Sequence, residues 1–278
     1  MDASAPKLNN HDLSESHLPP TSFTIMSTWS TPFLRRNHAA QRHQVPQESK
    51  YALIILNQPF STPLFLQLWD ASKWRCCADG GANRLYDLEG IVDKRECFLP
   101  DLIKGDLDSA RPEVLEYYGS KDVPVVHDRD QDSTDLMKCV AALTELENRE
   151  NVQYDLIILG GLSGRLDQTI HTLSYLHKLR KHRNRVFAVT DESVGWVLDT
   201  GEHTIEIEHN ALGPTCGLLP VGIGGTILST RGLRWNLSNT PSSFDGMVST
   251  SNHLVPGCDQ VWVKTSKPLW WTAELRPF

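Results

Sequence analysis

The chain has 278 residues, 40% of them hydrophobic and 22% charged, and carries a formal net charge of −7 at pH 7. That length suits one large domain or two modest ones. The acidic balance argues against a nucleic-acid partner, and no apolar run approaches the ~20 residues that cross a bilayer. The N-terminus has no apolar secretory stretch and the six cysteines form no Cys-x-x-Cys pair, so a cytoplasmic protein with buried free thiols and no membrane attachment is expected.

Residues 1–48 are rich in Ser, Pro, Asn, His and Gln without a sustained period, the composition of a disordered tail. From Tyr51 the texture changes. Continuous apolar runs at 51–56, 74–78, 98–103, 123–126, 154–159 and 185–189 predict strands of a parallel sheet buried on both faces. Helical stripes lie between them. Leu136, Val140 and Leu143 form one, Ile170, Leu173, Leu176 and Leu179 another, and Pro112 suits the first turn of a helix over 113–118. This alternation predicts an α/β catalytic domain over residues 49–198 with a mostly parallel sheet. Beyond residue 198 the pattern shortens to strand-like runs at 203–208, 226–230, 233–237 and 261–265, punctuated by Gly213-Pro214, Gly224-Gly225 and Pro256-Gly257. Residues 199–278 are therefore expected to form an antiparallel β-sandwich domain.

Four polar segments follow apolar runs in the first domain, where open α/β sheets bind ligands. In Gly105-Asp106-Leu107-Asp108-Ser109, an extended Asp-x-Asp would aim both carboxylates to one side, suited to a hard cation; an acidic turn capped by Asp108 or Ser109 fits equally well. Asp130-Gln131-Asp132-Ser133-Thr134-Asp135 opens a helix whose free N–H groups and dipole attract phosphate. There Asp135 and Lys138, three residues apart, read either as a metal or base carboxylate with a phosphate-binding cation, or as a capped start with an ion pair. Gly160-Gly161-Leu162-Ser163-Gly164-Arg165 allows close backbone approach to a ligand, with Arg165 able to fork two phosphate oxygens, or is a tight βα turn. Asp79-Gly80-Gly81-Ala82-Asn83-Arg84 offers Asp79, Asn83 and Arg84 to a phosphate, or caps a turn. His171 and His177 are expected on the exposed side of their helix. Together the four loops point to a Mg²⁺–polyphosphate site.

These segments, in this order and spacing, resemble the signature segments of the thiamine pyrophosphokinase family. Gly232-Leu233-Arg234-Trp235-Asn236-Leu237 and Val248-Ser249-Thr250-Ser251-Asn252 resemble that family's thiamine-binding β domain. The resemblance runs from about residue 50 to the end. It implies transfer of a diphosphoryl group from ATP to the hydroxyl of thiamine with release of AMP, a Mg²⁺ cofactor, and a homodimer with its sites at the subunit interface. It also implies that Asp106, Asp108 and Asp135 form the metal and catalytic centre and that Lys138 and Arg165 contact nucleotide or thiamine; with them, Asp79, Asn83, Arg84 and Ser109 of the loops are expected to hold ATP and its phosphates. Gln131, Thr134, Asp167, Trp235, Ser249, Ser251 and Asn252 are then the thiamine-binding residues. Asp135 is the first candidate for general base and Asp106 the second. An Asp-x-Asp phosphohydrolase, a non-catalytic nucleotide or thiamine sensor, and a sugar-nucleotide transferase are the competing readings.

Overall fold

A computed structural model describes residues 26–35 and 51–278. The chain runs β1 (Met26–Trp29), β2 (Tyr51–Ile55), α1 (Thr62–Ala71), β3 (Ser72–Ala78), α2 (Gly81–Tyr86), β4 (Leu102–Gly105), α3 (Pro112–Gly119), β5 (Val125–His127), α4 (Asp135–Glu150), β6 (Asp155–Leu159) and α5 (Leu166–Leu179). After α5 only strands follow among the named helices and strands. They are β7 (Val186–Val189), β8 (Ser193–Leu198), β9 (Gly201–Glu206), β10 (Leu212–Leu219), β11 (Thr226–Arg231), β12 (Thr240–Ser242), β13 (Ser249–His253), β14 (Gln260–Thr265) and β15 (Leu269–Leu275).

The sequence sets this architecture through burial on both faces. Every residue of β2 is buried: Tyr51, Leu53 and Ile55 face one core, Ala52 and Ile54 the other. Helices α1, α2 and α3 supply the first core through Leu64, Phe65, Leu68, Leu85, Val114 and Tyr118. Helices α4 and α5 supply the second through Leu136, Cys139, Val140, Leu143, Leu176 and Leu179. Ser61 caps α1 by accepting from Leu64 N–H at 3.4 Å, and α4 ends at Asn151, whose left-handed φ of 52° lets the chain turn back toward β6.

The strands form a ten-stranded sheet, β13-β10-β15-β8-β7-β6-β2-β3-β4-β5, and a five-stranded sheet, β1-β9-β14-β11-β12. From β7 to β5 all neighbours are parallel; from β7 to β13 they are antiparallel. The two sheets share the first core, in which Ile205, Val261 and Val263 join Trp196, Leu218, Trp271 and Ala273. The strand-rich C-terminal part is thus two-layered, and one layer is the continuation of the α/β sheet. Residue 199 lies between β8, in the long sheet, and β9, in the short one.

Two expectations are corrected. Within the 1–48 tail, residues 26–35 are ordered: β1 pairs in parallel with β9, and Trp29, Phe33 and Leu34 are buried. Trp29 stacks on Trp196 with ring centroids 5.6 Å apart and donates its indole N–H to His203 Nδ1 at 3.1 Å. Three large apolar side chains in a polar window suffice to dock it. The remainder of the tail lies outside the described residues. The run 233–237 is an irregular loop with a single bridge, Leu233 to Leu254, because Asn236 accepts from Leu233 N–H (3.1 Å) and donates to Leu233 C=O (2.8 Å), folding the segment on itself.

Candidate active site

Strand order reverses at β2. The chain proceeds outward through β3, β4 and β5, then returns to place β6 on the other side of β2. At the carboxyl ends of these strands lies a cleft of ≈ 550 Å³, walled by the loops that follow β2, β3, β4 and β6 and by the start of α4. This is the crevice that open α/β sheets use for ligands.

Three carboxylates converge there. Asp79 after β3, Asp106 after β4 and Asp135 at the first residue of α4 each offer an oxygen, and these oxygens lie within 4.8 Å of one another. Gly105 makes this possible. A Cβ at that position would stand 2.7 Å from Asp79 Cβ and 3.0 Å from Asp135 Oδ1. The Asp106 backbone N–H donates to Asp135 Oδ1 at 3.1 Å, and the Lys138 ammonium donates to the same oxygen at 3.1 Å. Lys138 is buried: burial opposes its charge, but Asp135, Asp106 and Asp128 outweigh that and hold its pKa above the usual lysine value. Asp79 is buried as well. Desolvation raises its pKa, against the hydrogen bonds from the Gly80 and Ala110 backbone and Ser109. Hard oxygen donors at this spacing are the donor set Mg²⁺ takes.

The other predicted residues divide. Asp108 lines the cleft but is not part of the carboxylate trio; Leu107 has φ of 59°, so Asp106-Leu107-Asp108 is a turn and not an extended clasp. Asp106 Oδ1 accepts from Asp108 N–H at 3.3 Å, and Asp108 Oδ1 accepts from Ser109 Oγ at 2.9 Å. Ser109, Arg84, Thr134 and Arg165 line the cleft too, and the Thr134 hydroxyl, at the N-cap of α4, is buried with no partner among the described residues. Asn83 is used internally: it donates to Ser109 C=O at 2.8 Å and accepts from Arg111 N–H at 3.0 Å, tying α2 to the loop after β4. Arg165 and Asp167 form an exposed pair at 2.5 Å, and Gln131 is exposed outside the cleft lining.

Trp235, Ser249, Ser251 and Asn252 do not line this cleft. Trp235 is 50% exposed, its ring covered by the Arg234 guanidinium at 4.7 Å and flanked by His253 at 5.1 Å. Asn252 is buried and brackets the loop, accepting from Trp235 N–H (3.2 Å) and donating to Trp235 C=O (2.8 Å). Ser249 is buried on β13, while Ser251 is exposed with φ of 54°.

The structure also adds residues. Asn57 and Gln58, directly after β2, line the cleft, as do Gln168 and His171. Asn57-Gln58-Pro59 follows an apolar run as the other four loops do, and that placement was the available signal. His171 and His177 are half-buried, contrary to the expected exposed face: α5 rolls so that His171 looks into the cleft and His177 packs edge-on against Trp270 at 6.5 Å. Burial lowers the pKa of both.

Fold and cleft define an α/β enzyme built for phosphoryl-group chemistry. Residues 65–188 match the family model "Thiamin pyrophosphokinase, catalytic domain" and residues 202–270 match "Thiamin pyrophosphokinase, vitamin B1 binding domain". The chain is 41% identical over 239 residues to thiamine pyrophosphokinase 3 of Oryza sativa subsp. japonica, covering 81% of this chain and 87% of the relative. It is 31% identical to the thiamine pyrophosphokinase of Saccharomyces cerevisiae, covering 75% and 81%. The crystal structure of the yeast enzyme superposes with a TM-score of 0.78 at 27% identity over 92% of this chain and 93% of that one, and the enzyme from Candida albicans with 0.77 at 25% over 93% and 97%. The chain belongs to the thiamin pyrophosphokinase family.

Proposed function

We propose that this chain carries out the family's reaction, ATP + thiamine → AMP + thiamine diphosphate, in the cleft at the β2/β6 switch point with Mg²⁺ as cofactor. The observation that carries this reading is the trio Asp79, Asp106 and Asp135, its oxygens within 4.8 Å of one another beside the buried Lys138. The hydroxyl oxygen of thiamine attacks the β-phosphorus of ATP, the bond from that phosphorus to the oxygen of AMP breaks, and the hydroxyl proton passes to a carboxylate. Asp135 is suited to receive it: its Oδ1 is already occupied by Asp106 N–H and Lys138, which fixes the group and leaves Oδ2 for the acceptor. Asp79 and Asp106 would hold Mg²⁺ beside Asp135; when bound, the ion supplies charge neutralisation on the polyphosphate oxygens. Lys138 and Arg165 add positive charge, and the N-terminus of α4, with the unpartnered Thr134 hydroxyl, offers donors to the substrate.

The thiamine platform at Trp235 calls for a second copy of the chain. Asn252, which brackets Trp235, belongs to β13, five strand positions from β6 in the sheet. At about 4.8 Å per strand that is on the order of 24 Å from the cleft. Leu166 (75% exposed) and Ile170 (53%) stand one turn apart on α5 beside the cleft, and Trp235 and Phe244 are exposed on the β region. These apolar surfaces suit a homodimer in which one copy's platform faces the other's cleft. Six free cysteines fit the reducing cytoplasm. No helix of the described residues is long and apolar enough to cross a membrane.

Purified protein given ATP, Mg²⁺ and thiamine should form AMP and thiamine diphosphate in equal amounts, and chelation of the metal should stop it. Production of ADP, or ATP loss independent of thiamine, would refute the proposal.

A further inference from the structure

The glycine loop after β6 has an unexpected holder. Gly160, Gly161 and Gly164 have φ of +100°, +85° and +79°, a run of left-handed positions that leaves the free loop many conformations. Among the described residues, its side-chain hydrogen bonds across the crevice come from Gln58 on the loop after β2. Gln58 Oε1 accepts from Gly161 N–H at 3.0 Å and from Ser163 Oγ at 2.8 Å, and Gln58 Nε2 donates to Ser163 C=O at 2.5 Å. Gln58 lies against the loop at ordinary contact distance: a Cβ on Gly160 would stand 3.4 Å from Gln58 Cβ, and one on Gly164 3.5 Å from Gln58 Nε2. The Gly161 N–H is therefore already committed to Gln58. Gly161, Gly164 and Arg165 of the loop line the cleft, as does Gln168 at the start of α5.

We propose that Gln58 is a positioning residue that latches the 160–165 loop across the switch point, so that the loop bearing Arg165 is already in place at the cleft when ATP arrives. The inference rests on the placement of ATP in this cleft. Because a latch fixes the loop equally in the ground and transition states, its loss raises KM and leaves kcat nearly unchanged.

In Gln58→Ala, the amides of residues 160–165 should exchange with solvent at least about tenfold faster in the unliganded protein, and KM for ATP should rise about tenfold or more. The kcat should stay within about threefold, as expected when three hydrogen bonds of modest net strength are lost. Ser163→Ala, which removes one of the three, should give a smaller change in the same direction, and it keeps the test open if Gln58→Ala folds poorly. Unchanged exchange in both variants overturns the latch. Faster exchange with an unchanged KM for ATP overturns the link to substrate, and with it the placement of ATP against this loop. Absence of AMP formation by the unaltered protein is a separate result and condemns the functional reading instead.

Discussion

Gly105→Ala tests whether the closeness of the three carboxylates is needed. The backbone of Gly105 is not in the left-handed region, so alanine is conformationally acceptable there and the perturbation is one of space alone. The added Cβ would meet Asp79 Cβ at 2.7 Å and Asp135 Oδ1 and Cγ at 3.0 and 3.1 Å, whereas ordinary contact begins at 3.4 Å. The shortfall of about 0.7 Å falls on Asp79, directly after β3, and on the first residue of α4, two elements anchored in the second core. Overpacking of this kind costs about 1–3 kcal/mol of stability. A group displaced by ~1 Å at a reacting centre costs roughly 10²-fold in rate. The expected outcome is a small fall in the thermal midpoint, read by thermal unfolding, with a kcat/KM about a hundredfold lower and a higher Mg²⁺ requirement, both read from AMP formation across a metal titration. If Gly105→Ala kept wild-type turnover and metal dependence, the carboxylate trio would not be the metal site.

Asp79→Asn separates the demands of the site from those of the fold. Burial raises the Asp79 pKa, so its ionised form is favoured less in the folded chain than in the unfolded one. A raised carboxylate loses stability as pH climbs through its folded pKa; the neutral amide, still able to accept from Ala110 N–H, should therefore make the unliganded protein more stable at pH 7 and no more stable at about pH 3. Activity should be lost at both, and a stability gain independent of pH would remove desolvation as the cause. The proposed homodimer predicts complementation: Asp135→Asn and Trp235→Ala, each inactive alone, should on mixing and subunit exchange recover about one quarter of wild-type activity. Half of the dimers are then mixed, each with one intact site. No recovery despite verified exchange would place cleft and platform in the same subunit.

What could be read from the sequence follows from what each pattern depends on. β2 and β6 are continuous apolar runs because both their faces are buried, a local signature that survives without knowing the partner strands. The loops were legible for the same reason: Asp79 and Asp106 follow such runs closely, and Asp135 opens the helix after one. The β15 segment Leu269-Trp270-Trp271-Thr272-Ala273-Glu274-Leu275 is equally central, yet its residues divide between two different cores that only the continuation of the long sheet creates. Residue type also leaves open which atoms a side chain will satisfy. Asn83 and Asn252 look like ligand-binding amides and hold backbone together, whereas Gln58, whose one signal was its place after an apolar run, spans the crevice. Asp79 enters the trio ahead of Asp108 because the left-handed φ angles of Asp79 (44°) and Leu107 (59°) turn their loops in ways the spacing of Asp-x-Asp does not encode. Local burial writes itself into composition, while the partner of each polar group is decided by how distant loops close on one another. The donor set of this cleft was therefore legible as a set of carboxylates and glycines, and its geometry became readable only when Gly105 left room for three of those carboxylates to meet.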